Sequence, residues 1–182
     1  MVYIILAIII LLAIYVISIY NNLVKSRQRV RNAWSQIDVQ LQRRFDLIPN
    51  IVSTIKGYVK HEESTLTKIA ELRTAWANAS TVSQKAELNE NLSGALKTIM
   101  AVSESYPDLK ANTNFINLQE ELSNTENKIS MSRQFYNDTV TRYNTSIELF
   151  PSSIVAGIFN FLPEDLFKAE SDESRKNVKV DF

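Results

Sequence analysis

His61 is the only histidine of this 182-residue chain, and it begins the string His61-Glu62-Glu63-Ser64-Thr65. A zinc metalloprotease helix carries a second histidine four residues after the first, so that both imidazoles share one helical face. Thr65 stands at that position instead. The spacing therefore predicts that His61 is a helix-surface or inter-helix hydrogen-bonding residue and not a metal ligand.

Other residue types that carry chemistry are scarce or lack a partner. The chain has no cysteine, which excludes thiolate catalysis and cysteine metal sites, and three glycines hardly suffice for a phosphate-binding loop. No serine lies in a G-x-S-x-G setting. A carboxylate-only metal site stays open, although the helical patterns bring no carboxylate pair inward. We therefore predict a non-enzyme with no catalytic, cofactor-binding or metal-binding residues.

Basic residues form the clearest functional signal. Twenty basic and twenty acidic residues cancel over the chain, which argues against a nucleic-acid partner. Locally, six basic residues and one acid (Asp38) lie between Lys25 and Arg44, a balance of +5. The first four, here called the basic collar, are Lys25, Arg27, Arg29 and Arg31. Two interpretations stay open: attraction to anionic headgroups at about 1 kcal/mol per residue, or stop-transfer charge on a solvated helix face.

The element that must position the collar is the apolar stretch before it. Residues 2–20 carry no charge, and at about 1.5 Å per residue they span about 29 Å, close to the hydrocarbon core of a bilayer. Eight Ile, three Leu and two Val contribute about −4 to −8 kcal/mol to insertion. No basic residue precedes the stretch and no A-x-A-like site follows it, which favours a retained anchor over a cleaved signal peptide. The collar then predicts an outside N-terminus and a cytoplasmic C-terminal part.

Residues 21–150 show the period of amphipathic helices joined by short connections, which predicts an antiparallel four-helix bundle. The first stripe consists of Leu23, Val30, Trp34, Ile37 and Leu41. Helix two is expected from Pro49 to Trp76, helix three from a Ser83 N-cap to Tyr106, and helix four from 108–114 to Phe150.

Pro49 decides how helices one and two connect. A proline inside a helix clashes with the carbonyl four residues before it and costs about 3 kcal/mol, but it is well tolerated at a helix start. We expect a tight corner over 45–48, with an arginine and Asp46 fixing the turn. The alternative is one kinked helix, a topology that we expect to carry the later segment 151–162 away from the membrane.

The apolar segment 151–162 follows the bundle and is too short to span a bilayer. It either closes the end of the bundle, contacts the membrane surface, or forms a subunit interface. The membrane-surface interpretation assigns Ile154, Ile158, Phe159 and Phe161 to the contact, together with the collar. Residues 163–182 read as a polar, loosely ordered tail. The predicted organisation is thus an all-α protein with a transmembrane anchor (1–20), a four-helix bundle (21–150), the apolar segment and the tail.

Three long strings resemble the LemA family of bacterial proteins. They are YNNLVKSRQRVRNAWSQIDVQLQRRFDLIPNIVSTIKGYVKHE, YPDLKANTNFINLQEELSNTENKISMSRQFYNDTVTRYN and FPSSIVAGIFNF. The resemblance implies a membrane-anchored, mainly helical protein with a short outside N-terminus and a cytoplasmic bundle. It implies no activity and no catalytic residues. Some relatives belong to membrane-shaping compartments, which fits a scaffold.

Three functions remain in competition. The leading hypothesis is a non-enzymatic membrane-anchored scaffold or adaptor in the bacterial inner membrane, acting through self-association or through recruitment of a membrane protein. The second is a lipid-binding or membrane-shaping module, whose partners are membrane lipids. The third is an accessory subunit of an envelope protease system.

Overall fold

The computed structural model describes residues 1–58 and 63–167, and it contains helices and no strand in those ranges. The helices are α1 (Val2–Asp46), α2 (Ile48–Lys56), α3 (Glu63–Asn78), α4 (Val82–Ser103), α5 (Pro107–Lys110), α6 (Thr113–Glu148) and α7 (Ser152–Ile158). The prediction of an all-α protein with an N-terminal apolar helix and bundle-like packing is confirmed. His61 and residues 168–182 of the predicted tail lie outside the described ranges.

Helix α1 carries the apolar stretch and then core positions without a break. An 18-residue window of it has a mean hydropathy of 3.1, and none of that window is buried. The same helix then buries Leu23, Val30, Ile37 and Leu41, each at most 2% exposed. The helix is therefore long and apolar enough to cross a membrane, and its later turns follow the predicted stripe.

The corner expected over 45–48 is wrong. Leu47 interrupts the helix but keeps α-helical dihedral angles (φ −75°, ψ −20°). Its N–H donates to the carbonyls of Arg43 and Arg44, and its own carbonyl accepts from Ile51. Pro49 is tolerated because it lies in the first turn of α2, where a backbone N–H has no hydrogen-bond acceptor within that helix, so that its absence costs little stability. The long second helix expected from Pro49 to Trp76 is instead divided into α2 and α3.

The chain divides into two compact units. Unit one contains Met1–Gln42 and Thr125–Leu166, and unit two is built on Arg43–Asn124. In unit one, α1 and α6 run antiparallel, since the Trp34 ring lies 5.7 Å from Tyr136 while the Tyr20 ring lies 4.8 Å from Phe159. Segment 151–162 therefore lies beside the end of the apolar stretch, although α1 and α2 are nearly continuous. We expected a continuous helix through Pro49 to carry segment 151–162 away from the membrane, and that expectation is wrong.

In unit two, α3 packs against both α2 and α4. Helix α4 begins with a capping box: Thr81 Oγ1 accepts from Gln84 N–H at 3.2 Å, and Gln84 Oε1 accepts from Thr81 N–H at 3.2 Å. The expected Ser83 cap is wrong by two residues, because Thr81 stands three places before Gln84, the spacing that lets the two side chains satisfy both N–H groups.

A buried arginine near the end of α1 bonds two side chains of α4. Arg44 is 4% exposed, and its Nη1 donates to Asn89 Oδ1 at 2.6 Å and to Ser93 Oγ at 2.9 Å. Arg44 thus bonds α4, where Asn89 is buried at 6% exposure. The expectation that an arginine and Asp46 fix the turn stays a prediction.

Candidate membrane-facing surface

Helix α7 has one buried and one exposed face. Val155 and Ala156 are 3% and 4% exposed, whereas Ile154 and Ile158 are 56% and 68% exposed. Residues four apart lie on the same side of a helix, so the two isoleucines form one continuous apolar face. The segment thus closes part of unit one with one side and presents the other side outward.

The chain turns sharply after α7 through a Schellman motif. The Phe161 N–H donates to the Ala156 carbonyl at 2.9 Å, and the Asn160 N–H donates to the Gly157 carbonyl at 3.5 Å. Asn160 has φ 53°, the left-handed conformation that this motif requires and that asparagine adopts more readily than most residues. The turn sends Phe161 inward, where it is 6% exposed.

Aromatic contacts connect this turn to α1. The Tyr20 ring lies 4.8 Å from the Phe159 ring and 5.7 Å from the Phe161 ring. The Arg27 guanidinium lies over the Phe161 ring at 5.0 Å, a cation–π distance. The last aromatic residue of the apolar stretch and one member of the basic collar therefore both hold segment 151–162.

The chain after α7 is fastened along α6 by side-chain hydrogen bonds. The Tyr143 hydroxyl donates to the Leu162 carbonyl at 2.9 Å, and the Tyr136 hydroxyl donates to the Asp165 carbonyl at 2.8 Å. The Asn144 side chain bonds both the carbonyl and the N–H of Glu164, each at 2.9 Å. These bonds hold the chain that follows α7 against α6 and so fix the position of α7 within unit one.

Burial of the two hydroxyls also perturbs their acidity. Burial raises the pKa of Tyr136 to about 12, and the nearby Glu164 and Asp165 carboxylates add to the increase. Burial likewise raises the pKa of Tyr143, an effect that the positive charge of Arg27 partly opposes. Both tyrosines are therefore neutral hydrogen-bond donors at physiological pH, and neither is poised for acid–base chemistry.

The exposed residues around α7 form a patch, here called the apolar patch. Its members are each between 50% and 80% exposed: Leu149, Phe150, Ile154, Ile158, Phe159 and Leu162. The patch adjoins Tyr20 through Phe159, at the point where the membrane-spanning stretch ends. Large exposed apolar patches mark interaction sites with proteins or membranes.

The structure separates the residues that the sequence analysis grouped at the membrane surface. Ile154, Ile158 and Phe159 belong to the apolar patch, whereas Phe161 is buried beneath Arg27. The other collar residues, Lys25, Arg29 and Arg31, are exposed on α1.

The residues assigned to the membrane contact from the sequence did not include Tyr20, Leu149, Phe150 or Leu162, although a four-helix bundle was expected to return residues 150–162 beside the apolar stretch 2–20. An aromatic residue at the end of an apolar stretch is the usual signal of a membrane interface, and Tyr20 carries that signal.

Among residues 1–58 and 63–167, no group of three or more His, Cys, Asp or Glu side chains could hold a metal ion. The features that stand out in the same ranges are the spanning helix, the apolar patch and the exposed cations. Together they define a membrane-associated helical protein.

The family follows from comparison with known proteins. The chain belongs to the LemA family, whose model matches residues 33–182. It is 29% identical to Protein LemA of Metamycoplasma hominis, over 84% of this chain and 70% of that protein. It is also 25% identical to Magnetosome protein MamQ 1 and to MamQ 2 of Paramagnetospirillum magneticum, over 82% of this chain and 64% of each relative.

Proposed function

We propose that the protein is a non-enzymatic, membrane-anchored scaffold that self-associates or recruits a membrane protein. The observation that carries the proposal is that the spanning stretch and the buried positions after it belong to one uninterrupted helix. Helix α1 continues from the apolar stretch into the buried positions Leu23 and Val30, and Tyr20 packs on Phe159. Binding surfaces that are held in one orientation at the membrane bind a partner at a lower ordering cost, which suits a scaffold.

The proposed orientation has the N-terminus outside, residues 2–20 across the bacterial inner membrane, and the helical bundle that follows in the cytoplasm. The basic collar supports it, because cytoplasmic flanks carry an excess of Lys and Arg. The cysteine-free chain offers a clean test. A Met131→Cys variant, at a side chain 72% exposed, should react with a membrane-impermeant maleimide only after the cells are lysed. Labelling of intact cells would show that Met131 lies outside the cell, the opposite of the proposed orientation.

The scaffold function is tested by membrane-permeable crosslinking in cells and by the mass of the full-length protein in detergent. We expect either a mass above that of the 20.8 kDa protomer or a membrane protein that co-purifies. A clean monomer without a crosslinked partner would contradict the proposal.

A coupling variant tests the continuity of α1 itself. A Gly-Gly-Ser-Gly insertion after Asn22 breaks α1 between Tyr20 and Leu23, and it should abolish the crosslinks while the helical content stays near that of the wild type. The same insertion after Met1 is the matched control and should leave the crosslinks unchanged. Crosslinks that survive the first insertion would show that rigidity is not required.

A second candidate, a lipid-contacting or membrane-shaping module, is favoured by the apolar patch beside Tyr20. A wedge of apolar side chains in one leaflet expands that leaflet and favours curvature. Vesicles that contain the full-length protein should therefore be narrower, in electron micrographs, than vesicles with the Ile154→Ser/Ile158→Ser variant. Equal diameters would remove this candidate and leave the scaffold proposal intact.

A further inference from the structure

A groove in unit one lies between α1 and α6. It has a volume of about 380 Å³, which is within the range of ligand sites. From α1 it is lined by Ser26, Arg29 and Asn32, and from α6 by Phe135 and Arg142. Two cations and no acid line it, so the groove is suited to an anion.

The donors of this groove are available. The side chains of Arg29 and Arg142 make no hydrogen bond or ion pair with another residue in ranges 1–58 and 63–167. The Asn32 Oδ1 accepts from Gln28 Nε2 at 3.2 Å, which leaves the Asn32 amide N–H groups unused by that bond. Two guanidinium groups and an amide match the oxygens of a phosphate, because each guanidinium can donate a pair of parallel N–H bonds.

The position of the groove relates it to the lipid headgroups. Along α1, Ser26 lies about 9 Å and Arg29 about 14 Å beyond Tyr20, at 1.5 Å per residue. The polar layer of a bilayer extends about 5–8 Å beyond the hydrocarbon. The Cα–Cβ bond of Arg29 tilts toward the N-terminus of α1, which is toward the membrane, and long basic side chains extend back to the interface. A headgroup that projects from the layer therefore meets the near end of the groove.

We infer that this groove binds the phosphate-bearing headgroup of an anionic phospholipid, with Arg29 and Arg142 as its cationic ligands. The exposed Phe135 ring, 55% exposed, supplies an apolar wall for the carbon atoms of the headgroup or the glycerol. The inference rests on the membrane placement in the proposed function, but it adds a defined lipid site, separate from the apolar patch. The collar thus has two roles, with Arg27 holding Phe161 and Arg29 binding lipid.

The test measures binding of short-chain lipids to the full-length protein in neutral detergent micelles, by titration calorimetry. Neutral micelles remove the general attraction of an anionic surface. Dioctanoyl-phosphatidylglycerol should saturate one site, and dioctanoyl-phosphatidylcholine should bind far more weakly. Because a hydrogen bond between charged groups contributes about tenfold, the Arg29→Gln/Arg142→Gln variant should lose about a hundredfold in affinity. Both side chains are exposed, so the variant should fold, which circular dichroism checks.

The matched control is Lys25→Gln/Arg31→Gln, which removes the same charge from exposed positions that do not line the groove. It should change the affinity less than threefold. An equal loss in both variants, or no saturable binding by the wild type, would overturn the inference. Binding of inorganic phosphate as tight as that of the lipid, with the same arginine dependence, would overturn the lipid assignment. Light scattering on the same samples reports self-association, so failure of the lipid site and failure of the scaffold proposal are distinguishable.

Discussion

The apolar patch makes a quantitative prediction about membrane partitioning. Replacing Ile154 and Ile158 by serine removes two side chains that are 56% and 68% exposed in unit one. Full burial of an isoleucine side chain is worth about 1.5–3 kcal/mol, so at these exposed fractions the pair contributes about 2–4 kcal/mol when the patch enters a membrane. Since 1.4 kcal/mol is a factor of ten, the partition coefficient should fall about 30- to 700-fold.

The assay is co-sedimentation of a fragment, residues 19–182, with vesicles at low salt. The fragment keeps Tyr20 and its contact with Phe159, but it lacks most of the spanning stretch. Ile116→Ser is the matched control, because Ile116 is an isoleucine that is 47% exposed and does not belong to the apolar patch. It should change partitioning less than twofold.

Failure of the wild-type fragment to bind vesicles, or equal binding by the patch variant and the Ile116 variant, would refute a role of the apolar patch in membrane binding. Both substituted isoleucines are exposed, so thermal unfolding of the patch variant should match that of the wild type. A large drop in its unfolding temperature would mean that the two side chains pack within unit one.

The remaining predictions concern stability, measured by urea unfolding of the same fragment. Asn89→Ala leaves a buried guanidinium N–H of Arg44 without its acceptor and should lower the free energy of unfolding by about 1.5–3 kcal/mol. The same substitution should cost much less in an Arg44→Met background. Additive effects of the two substitutions would contradict a stabilising bond between Arg44 and Asn89. The neutral Tyr136 hydroxyl is favoured in the folded state, whose pKa is about 12, over the unfolded state, whose pKa is 10.0. Its contribution, about 3 kcal/mol, is therefore complete below pH 10 and is lost as the pH rises from 10 to 12, and a Tyr136→Phe variant should lack this step. Asn160→Val should cost about 1–2 kcal/mol because of the left-handed φ of 53°, whereas Asn160→Gly should stay within a few tenths, and equal costs would refute the strain argument.

Much of the fold was predictable because long amphipathic stripes repeat with a helical period. The stripe of Leu23, Val30, Ile37 and Leu41 is buried as expected, since four residues in phase over five turns leave one choice of face. Short-range signals were less decisive. Pro49 favours a helix start, but its sequence neighbours do not tell whether the chain turns there or only kinks. The choice depends on packing partners that lie far away in the chain.

The candidate site was only partly predictable for a related reason. Segment 151–162 has apolar residues on several faces, so its period does not say which of them face outward. Phe159 and Phe161 are equivalent by type, yet one is half exposed and the other is buried. The left-handed Asn160 between them and the positions of Tyr20 and Arg27 make that difference.

The sequence by itself determined the membrane-spanning stretch, the helical class, the basic collar and the family resemblance, because each depends on composition or on local period. The tertiary structure alone decided that Arg44 is buried against Asn89, that Arg27 covers Phe161, and that Arg29 and Arg142 line one groove. These last pairings join residues 45, 134 and 113 positions apart in the chain. No local pattern encodes such a distance, since it results from how helices far apart in the chain pack together.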